Sequence, residues 1–361
     1  MPARVMLAGA GRSPRPGRAE AAMTTEQLVP SAAARRLFDS AVVVDGLDTS
    51  NWGAEQIFRE LRDGGVTACN ATSAIWHNFQ ETLDNITTWL HWFEEFSEYI
   101  RPIHSVADIH AAKAEGRTGI ILGWQNATPV ESDVRRFRLF HALGVRIVQL
   151  TYNERNLFGN GCWERTDEGV SVLGLAAIRE MNKLGILIDL SHVGDRTVLD
   201  TIEHSEQPVA FTHANARSQT DYPRNKTDEA IRALTAKGGV VGANAFPNHH
   251  RHGYDSTLDD YLDAVDYLVD MVGPDQVAIG TDFCMGQTRE WFAWIGASHG
   301  HEPFLSSGEV PQPFRLLHGF AGPLEFVNVA EGLLRRGYGE DDARKILGGN
   351  WLRLFGEVWR D

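Results

Sequence analysis

His192 and His213 each follow a short β-branched run, Ile186 to Leu190 and Pro208 to Thr212. Imidazole is a common metal ligand at neutral pH, and two rings at matching places on consecutive strands can share one divalent metal. The plainer reading is two core histidines satisfied by backbone carbonyls. Asp282 stands in the same relation to Val277 to Thr281, and three such groups in one register favour chemistry over packing. A carboxylate there can ligate the metal or take a proton from water beside it; its alternative role is a helix N-cap within Gly280 to Phe283. His249, His250 and His252 lie in a polar stretch and are expected to be solvated. His91, His104, His110, His141 and His204 fall in or beside helical patterns, where structural or solvated roles suffice.

The elements that must hold these groups are legible as a rhythm. Eight apolar runs read as strands: Ala41 to Asp45, Val66 to Asn70, Thr118 to Leu122, Val145 to Thr151, Ile186 to Leu190, Pro208 to Thr212, Gly239 to Ala243 and Val277 to Thr281. Between them lie helical patterns at Glu55 to Arg62, Phe79 to Tyr99, Val106 to Ala114, Ser132 to Ala142, Val172 to Leu184, Arg196 to Glu203, Asp228 to Ala236 and Leu258 to Met271. Ser105 and Asp108 fit a capping box for the third. Eight such βα units over about 240 residues predict an α/β fold, a (β/α)8 TIM barrel. A doubly wound sheet is the competitor, weakened because no glycine-rich turn follows the first strand. The tail from Pro323 to Trp359 predicts two or three extra C-terminal helices on the outside.

In a barrel, the residues after each strand's C-terminal end face the active site. Those positions hold Leu47, Asp48 and Thr49; Asn70 and later His77; Gln125 and Asn126; Tyr152 and Asn153; His192; His213 and Asn215; Asn244; and Asp282. So many polar groups behind apolar strands need partners, which a ligand or metal would supply. The set assigns Asn70 and Asn244 to substrate binding.

Composition bounds the rest. The chain carries 34 basic and 48 acidic side chains, a net charge of −14, which repels nucleic-acid phosphates and anionic lipid. No apolar run approaches the roughly 18 residues of a membrane span. Cys69, Cys162 and Cys284 are too few for a disulfide framework and lack metal-type spacing, so a reducing, cytoplasmic setting is expected. Residues 1–25 carry a short apolar stretch followed by a basic, proline-rich tract; they are expected to form a disordered lead to a single metallohydrolase-type domain over 26–361.

Val44-Asp45-Gly46, Gln149-Leu150-Thr151, Gly161 to Glu164, Ile188 to His192, Thr212 to Arg217, Pro223-Arg224-Asn225, Gly280 to Phe283 and Leu333 to Asn350 together resemble the membrane (renal) dipeptidase family of the amidohydrolase superfamily. The resemblance covers about residues 41 to 356. It implies a two-zinc hydrolase on a (β/α)8 barrel that cleaves dipeptides, with His192 and His213 on one zinc, Asp282 handling the catalytic water, Arg224 holding the substrate carboxylate, and a homodimer.

The chain departs from that pattern at the other zinc. The family's first-strand histidine, any residue, aspartate motif is here Leu47-Asp48-Thr49, its bridging glutamate corresponds to Gln125, and its substrate-contacting histidine after the fourth strand is Tyr152. The expectation is one divalent metal, zinc with iron or manganese as alternatives, on His192 and His213 with Gln125, Asp282 or water completing the shell. Asp282 and Tyr152 are the expected catalytic residues, Tyr152 donating to an oxyanion. The substrate would be a small carboxylate-bearing amide. Two rivals stand beside it: a metal-free binding or non-hydrolytic protein, and a two-metal dipeptidase with ligands relocated to Asp48 or His77.

Overall fold

The computed structural model describes residues 29–303 and 314–360; residues 1–25, read above as a lead, lie outside them. Nine strands form one sheet: β1 (Val44–Asp48), β2 (Ala68–Ala74), β3 (Ile100–Pro102), β4 (Thr118–Trp124), β5 (Val145–Gln149), β6 (Leu187–Asp189), β7 (Ala210–Phe211), β8 (Val240–Ala243) and β9 (Val277–Ile279). Their order is β1-β2-β4-β5-β6-β7-β8-β9, parallel throughout. The seam between β1 and β9 closes at the C-terminal end, where Thr49 N donates to Phe283 O at 2.7 Å and Asp282 N to Leu47 O at 2.9 Å. The expected barrel is therefore present, with all eight predicted runs as its strands. β3 is an addition that pairs with Thr118 to Ile120 of β4, ahead of the point where β5 joins at Leu122.

Side-chain alternation builds two apolar layers. Val44, Ala68, Ile121, Ile147, Leu187, Ala210, Val240 and Ala278, one from each barrel strand, point inward and pack with Trp351 and Phe355 of the C-terminal helix Asn350–Val358. Cys69, Ile120, Val148, Ile188, Phe211, Val241 and Ile279 belong to the larger core that includes residues of the surrounding helices. Trp351 enters so far that a Cβ on Gly46 would meet its Cζ2 at 2.6 Å and Thr212 O at 2.6 Å, so glycine is required there.

The helices follow their predicted ranges closely, and capping fixes where they start. The Ser105 and Asp108 box is present, as are others at Asn78 with Glu81 and Thr257 with Asp260. The helix expected from Ser132 begins only at Arg136, because Glu131 sits at φ 53° after a tight turn at Thr128–Val130. Three helical pieces in the tail, Phe326–Arg335, Glu340–Arg344 and Asn350–Val358, match the expected number, but the last does not lie on the outside: its Trp351 and Phe355 enter the barrel's inner layer. Helices at Ala32–Ser40 and Arg289–Ile295 were not foreseen. No helix among the described residues is long and apolar enough to cross a membrane.

Candidate active site

The site is organised from Asp189 at the end of β6. Its carboxylate accepts from Ser191 N and Oγ at 3.0 and 2.6 Å and from Thr212 N and Oγ1 at 2.9 and 2.7 Å. These four bonds stitch the end of β6 to that of β7 and set His192 and His213 side by side, their Nε2 atoms 3.0 Å apart.

The hydrogen bonds on the far side of each ring fix its tautomer. His192 Nδ1 lies 2.7 Å from Asn153 Oδ1, an acceptor, so this nitrogen carries the proton. His213 Nδ1 lies 2.7 Å from Thr212 Oγ1, whose own hydrogen goes to Asp189, so it too is protonated. Both Nε2 lone pairs therefore face each other. Burial, reinforced by the Arg224 charge, pushes both imidazoles well below their ordinary pKa and keeps them neutral. Two unprotonated imidazole nitrogens held this close can both ligate one divalent metal.

The rest of the family's two-metal set does not fit. Leu47 is buried and has no ligand atom, Thr49 Oγ1 is paired with Cys284 Sγ at 3.3 Å, and Gln125 is a neutral amide whose Nε2 donates to Thr72 Oγ1 at 3.1 Å. Neither substitute ligand reaches the pair. Among the described residues, the group of three histidine, cysteine or carboxylate ligand atoms lying mutually within 4.8 Å is Asp45, Asp48 and Cys69, away from both histidines. Asp48 Oδ1 accepts from Ser50 N at 2.6 Å while Oδ2 is buried without a partner. His77 accepts from Ile75 N at 3.2 Å and lines a neighbouring cavity instead. By the same measure Asp282 does not come within 4.8 Å of both imidazole nitrogens.

Asp282, with φ 58°, lines a cavity together with Gln125, Tyr152, Asn153, His192 and Arg224. Asparagine and aspartate tolerate this backbone region better than other non-glycine residues, and Asn153 shares it at φ 55°. Burial raises the Asp282 pKa, and the Arg224 charge and a 3.2 Å bond from Asn244 Nδ2 oppose that rise. Arg224 is buried, and its guanidinium donates to the backbone oxygens of Ser191 and His213. Tyr152 stacks on His192 with centroids 4.1 Å apart and meets the edge of Trp76; burial holds its hydroxyl protonated.

Two expected substrate contacts sit elsewhere. Asn244 donates to Asp282 and, at 3.2 Å, to His213 O, and Asn70 donates to Gly46 O at 2.8 Å; neither is among the residues lining the cavity. Their amides are spent on holding strand ends in place. His249 and His250, expected to be solvated, are buried: His249 lines the cavity and pairs with Asn225 Oδ1 at 2.8 Å, and His250 Nε2 meets Asn244 O at 2.9 Å. His252 is exposed, as expected. Lys226 escaped the sequence reading. It is fully buried, donates to Val193 O at 2.6 Å, and burial lowers its pKa to about 7. Its only signal was a charge two residues past Arg224. An aromatic wall of Trp163, Tyr222, Phe246, Trp291 and Phe292 faces the polar groups.

A closed parallel barrel with paired imidazoles and an aspartate at the C-terminal ends of its strands, and an arginine from a following loop, places its candidate site where barrel enzymes carry theirs. The pattern that defines the membrane dipeptidases (peptidase family M19) matches residues 34–291, and the chain belongs to that family. A solved amidohydrolase from Pseudomonas aeruginosa is 39% identical, with a TM-score of 0.86 over 90% of this chain and 99% of that one. An "uncharacterized dipeptidase" of Schizosaccharomyces pombe is 35% identical over 181 residues, 48% of this chain and 44% of the relative, so the matched region spans less than half of that protein. A protein of Klebsiella pneumoniae described as lying "in pqqA 5′ region" is 30% identical over 71% of this chain and 88% of its own length.

Proposed function

We propose that the chain is a dipeptidase-like hydrolase that holds one divalent metal on His192 and His213 and cleaves an amide bond in a small carboxylate-bearing substrate. The carrying observation is the pair of Nε2 lone pairs, turned toward each other at 3.0 Å by Asn153 and by the Thr212–Asp189 relay. A divalent metal bound there, zinc first and iron or manganese as alternatives, would polarise the scissile carbonyl and lower the pKa of a neighbouring water.

The protein's own groups supply the rest. Arg224, a planar fork of donors on the cavity wall, receives the substrate carboxylate. Asp282 takes the proton from the attacking water and returns it to the leaving amine. Tyr152, kept protonated by burial, donates to the developing oxyanion. Asn244 aims Asp282, and the aromatic wall excludes bulk water.

The test is the metal content of protein purified without added metal or chelator, measured alongside turnover of a panel of dipeptides and N-acyl amino acids. One equivalent per chain is expected, with metal and turnover both lost in His213→Ala and both kept in His252→Ala. No metal taken up on dialysis against zinc, manganese or ferrous iron, or equal activity of the two variants, would overturn the reading.

A further inference from the structure

Thr49 stands where the family's pattern places a metal-binding aspartate, and in this chain it is a wall shared by two cavities. Beyond Thr49 and Trp291, the two residues common to both, lies a second cavity of about 250 Å³. Five tryptophans line it: Trp52, Trp89, Trp92, Trp291 and Trp294. Half of the chain's 10 tryptophans are thus gathered around one hollow. We propose that it is a subsite for a compact quaternary ammonium group, contiguous with the catalytic cavity.

Ring geometry favours a compact cation over a flat ligand. Trp52 and Trp89 meet at 55° with centroids 5.3 Å apart, Trp89 and Trp92 at 85° and 5.0 Å, and Trp294 and His77 at 64° and 5.1 Å. Trp52 and Trp89 are packed into the core, one face of Trp52 lying on Phe58, so the half-buried Trp92, Trp291 and Trp294 are the rings left to meet a bound group. A planar aromatic ligand needs two parallel faces, and none of these pairs offers them.

The polar lining points the same way. The described residues around the cavity include no Asp, Glu, Lys or Arg, so neither a primary ammonium nor an anion finds a charged partner. Three of the lining's polar side chains donate to backbone oxygens, Gln287 Nε2 to Thr49 O at 2.7 Å, Asn85 Nδ2 to Ser73 O at 3.1 Å and Ser73 Oγ to Gly123 O at 3.0 Å, while the buried Trp52 indole N–H has no partner. A quaternary ammonium asks for no hydrogen bond and is held by aromatic faces alone. The chain's net charge of −14 adds a field that draws cations. The inference rests on the preceding reading only in placing the remainder of such a molecule toward Arg224.

The test uses tetramethylammonium as the probe and calorimetry on the metal-replete full chain, with neopentyl alcohol as a neutral comparator of similar bulk and indole as the planar alternative. Saturable binding of tetramethylammonium is expected, at least about ten-fold tighter than the neutral compound, and weakened several-fold in Trp92→Leu and Trp294→Leu. Metal content in both variants should match the unaltered chain, which separates loss of the subsite from loss of fold. Equal affinity for the neutral compound, preference for indole, or binding indifferent to both substitutions would overturn the proposal. The probe carries no scissile bond, so these outcomes are independent of the hydrolase reading.

Discussion

Asn153 and Thr212 decide what the two imidazoles can do. Each takes the Nδ1 proton of one ring and so leaves Nε2 free, and partners of this kind commonly carry 10- to 100-fold in metal affinity. Asn153→Ala is therefore expected to weaken metal binding by about that factor while leaving both histidines in place, as measured by competition against a chromophoric chelator. Arg224 acts at a distance. Its charge lowers the pKa of Asp282 against the effect of burial, so in Arg224→Met the acid limb of the kcat/KM profile should move to higher pH, together with a raised KM. A limb that stays put would remove Asp282 as the base. His192, His213 and Asp282 were legible as candidates because each follows a strand-like run, whereas Arg224 came only from the family resemblance around Pro223-Arg224-Asn225. Lys226 stayed hidden because a lone lysine in a polar stretch reads as solvated, and its partner Val193 O lies 33 residues away. His249 and His250 were misplaced for the same reason: a loop's polarity does not reveal that it folds inward over a barrel mouth.

At the scale of elements, hydrophobic rhythm identified every barrel strand but set several a few residues early. The run at Ala41 to Asp45 becomes a strand at Val44–Asp48 because β1 continues past its apolar stretch to close the barrel against Phe283. β3 carried no signal, being three residues with a proline. The late stretch of β1 also explains Asp48, which a sequence reading places at the active site and the fold turns toward Asp45 and Cys69. Burial raises the pKa of Asp45 to about 7, and burial with the Asp45 charge raises that of Asp48 well above the ordinary carboxylate range. An acid whose folded pKa is raised contributes stability below its unfolded pKa near 4 and loses it as pH climbs through the folded value, at up to about 1.4 kcal/mol per pH unit for each proton. Stability should thus fall between about pH 4 and about pH 7 on this account. Asp48→Asn keeps the side chain's shape and removes the second negative charge, so urea melts across that range should show a shallower decline and a higher midpoint near neutrality. An unchanged slope would mean that the two carboxyls do not titrate against each other.

The whole molecule is closed at one end and open at the other. Catalytic candidates crowd the C-terminal ends of the strands, and the opposite end is stoppered by the last helix. Trp351 fills the barrel axis above Gly46 and Gly242 and donates to Ile279 O at 2.8 Å, and Asn350 reaches Val277 O at 2.8 Å and Pro274 O at 2.7 Å at the start of β9. The sequence reading placed this tail on the outside, since periodicity reports an apolar face but not what that face enters. The consequence is a division between stability and chemistry. Trp351→Ala empties a fully buried indole from the axis and leaves Ile279 O without its donor. Changes of this kind typically cost about 3–5 kcal/mol. The expected outcome is a loss of unfolding free energy of that size in urea melts, with the metal stoichiometry of the surviving folded fraction unchanged, because none of the hydrogen bonds that orient His192 and His213 involves the Trp351 side chain. Loss of metal at full stability would instead mean that the stopper transmits strain along β9 to Asp282, and the two ends of the barrel would have to be treated as one mechanical unit.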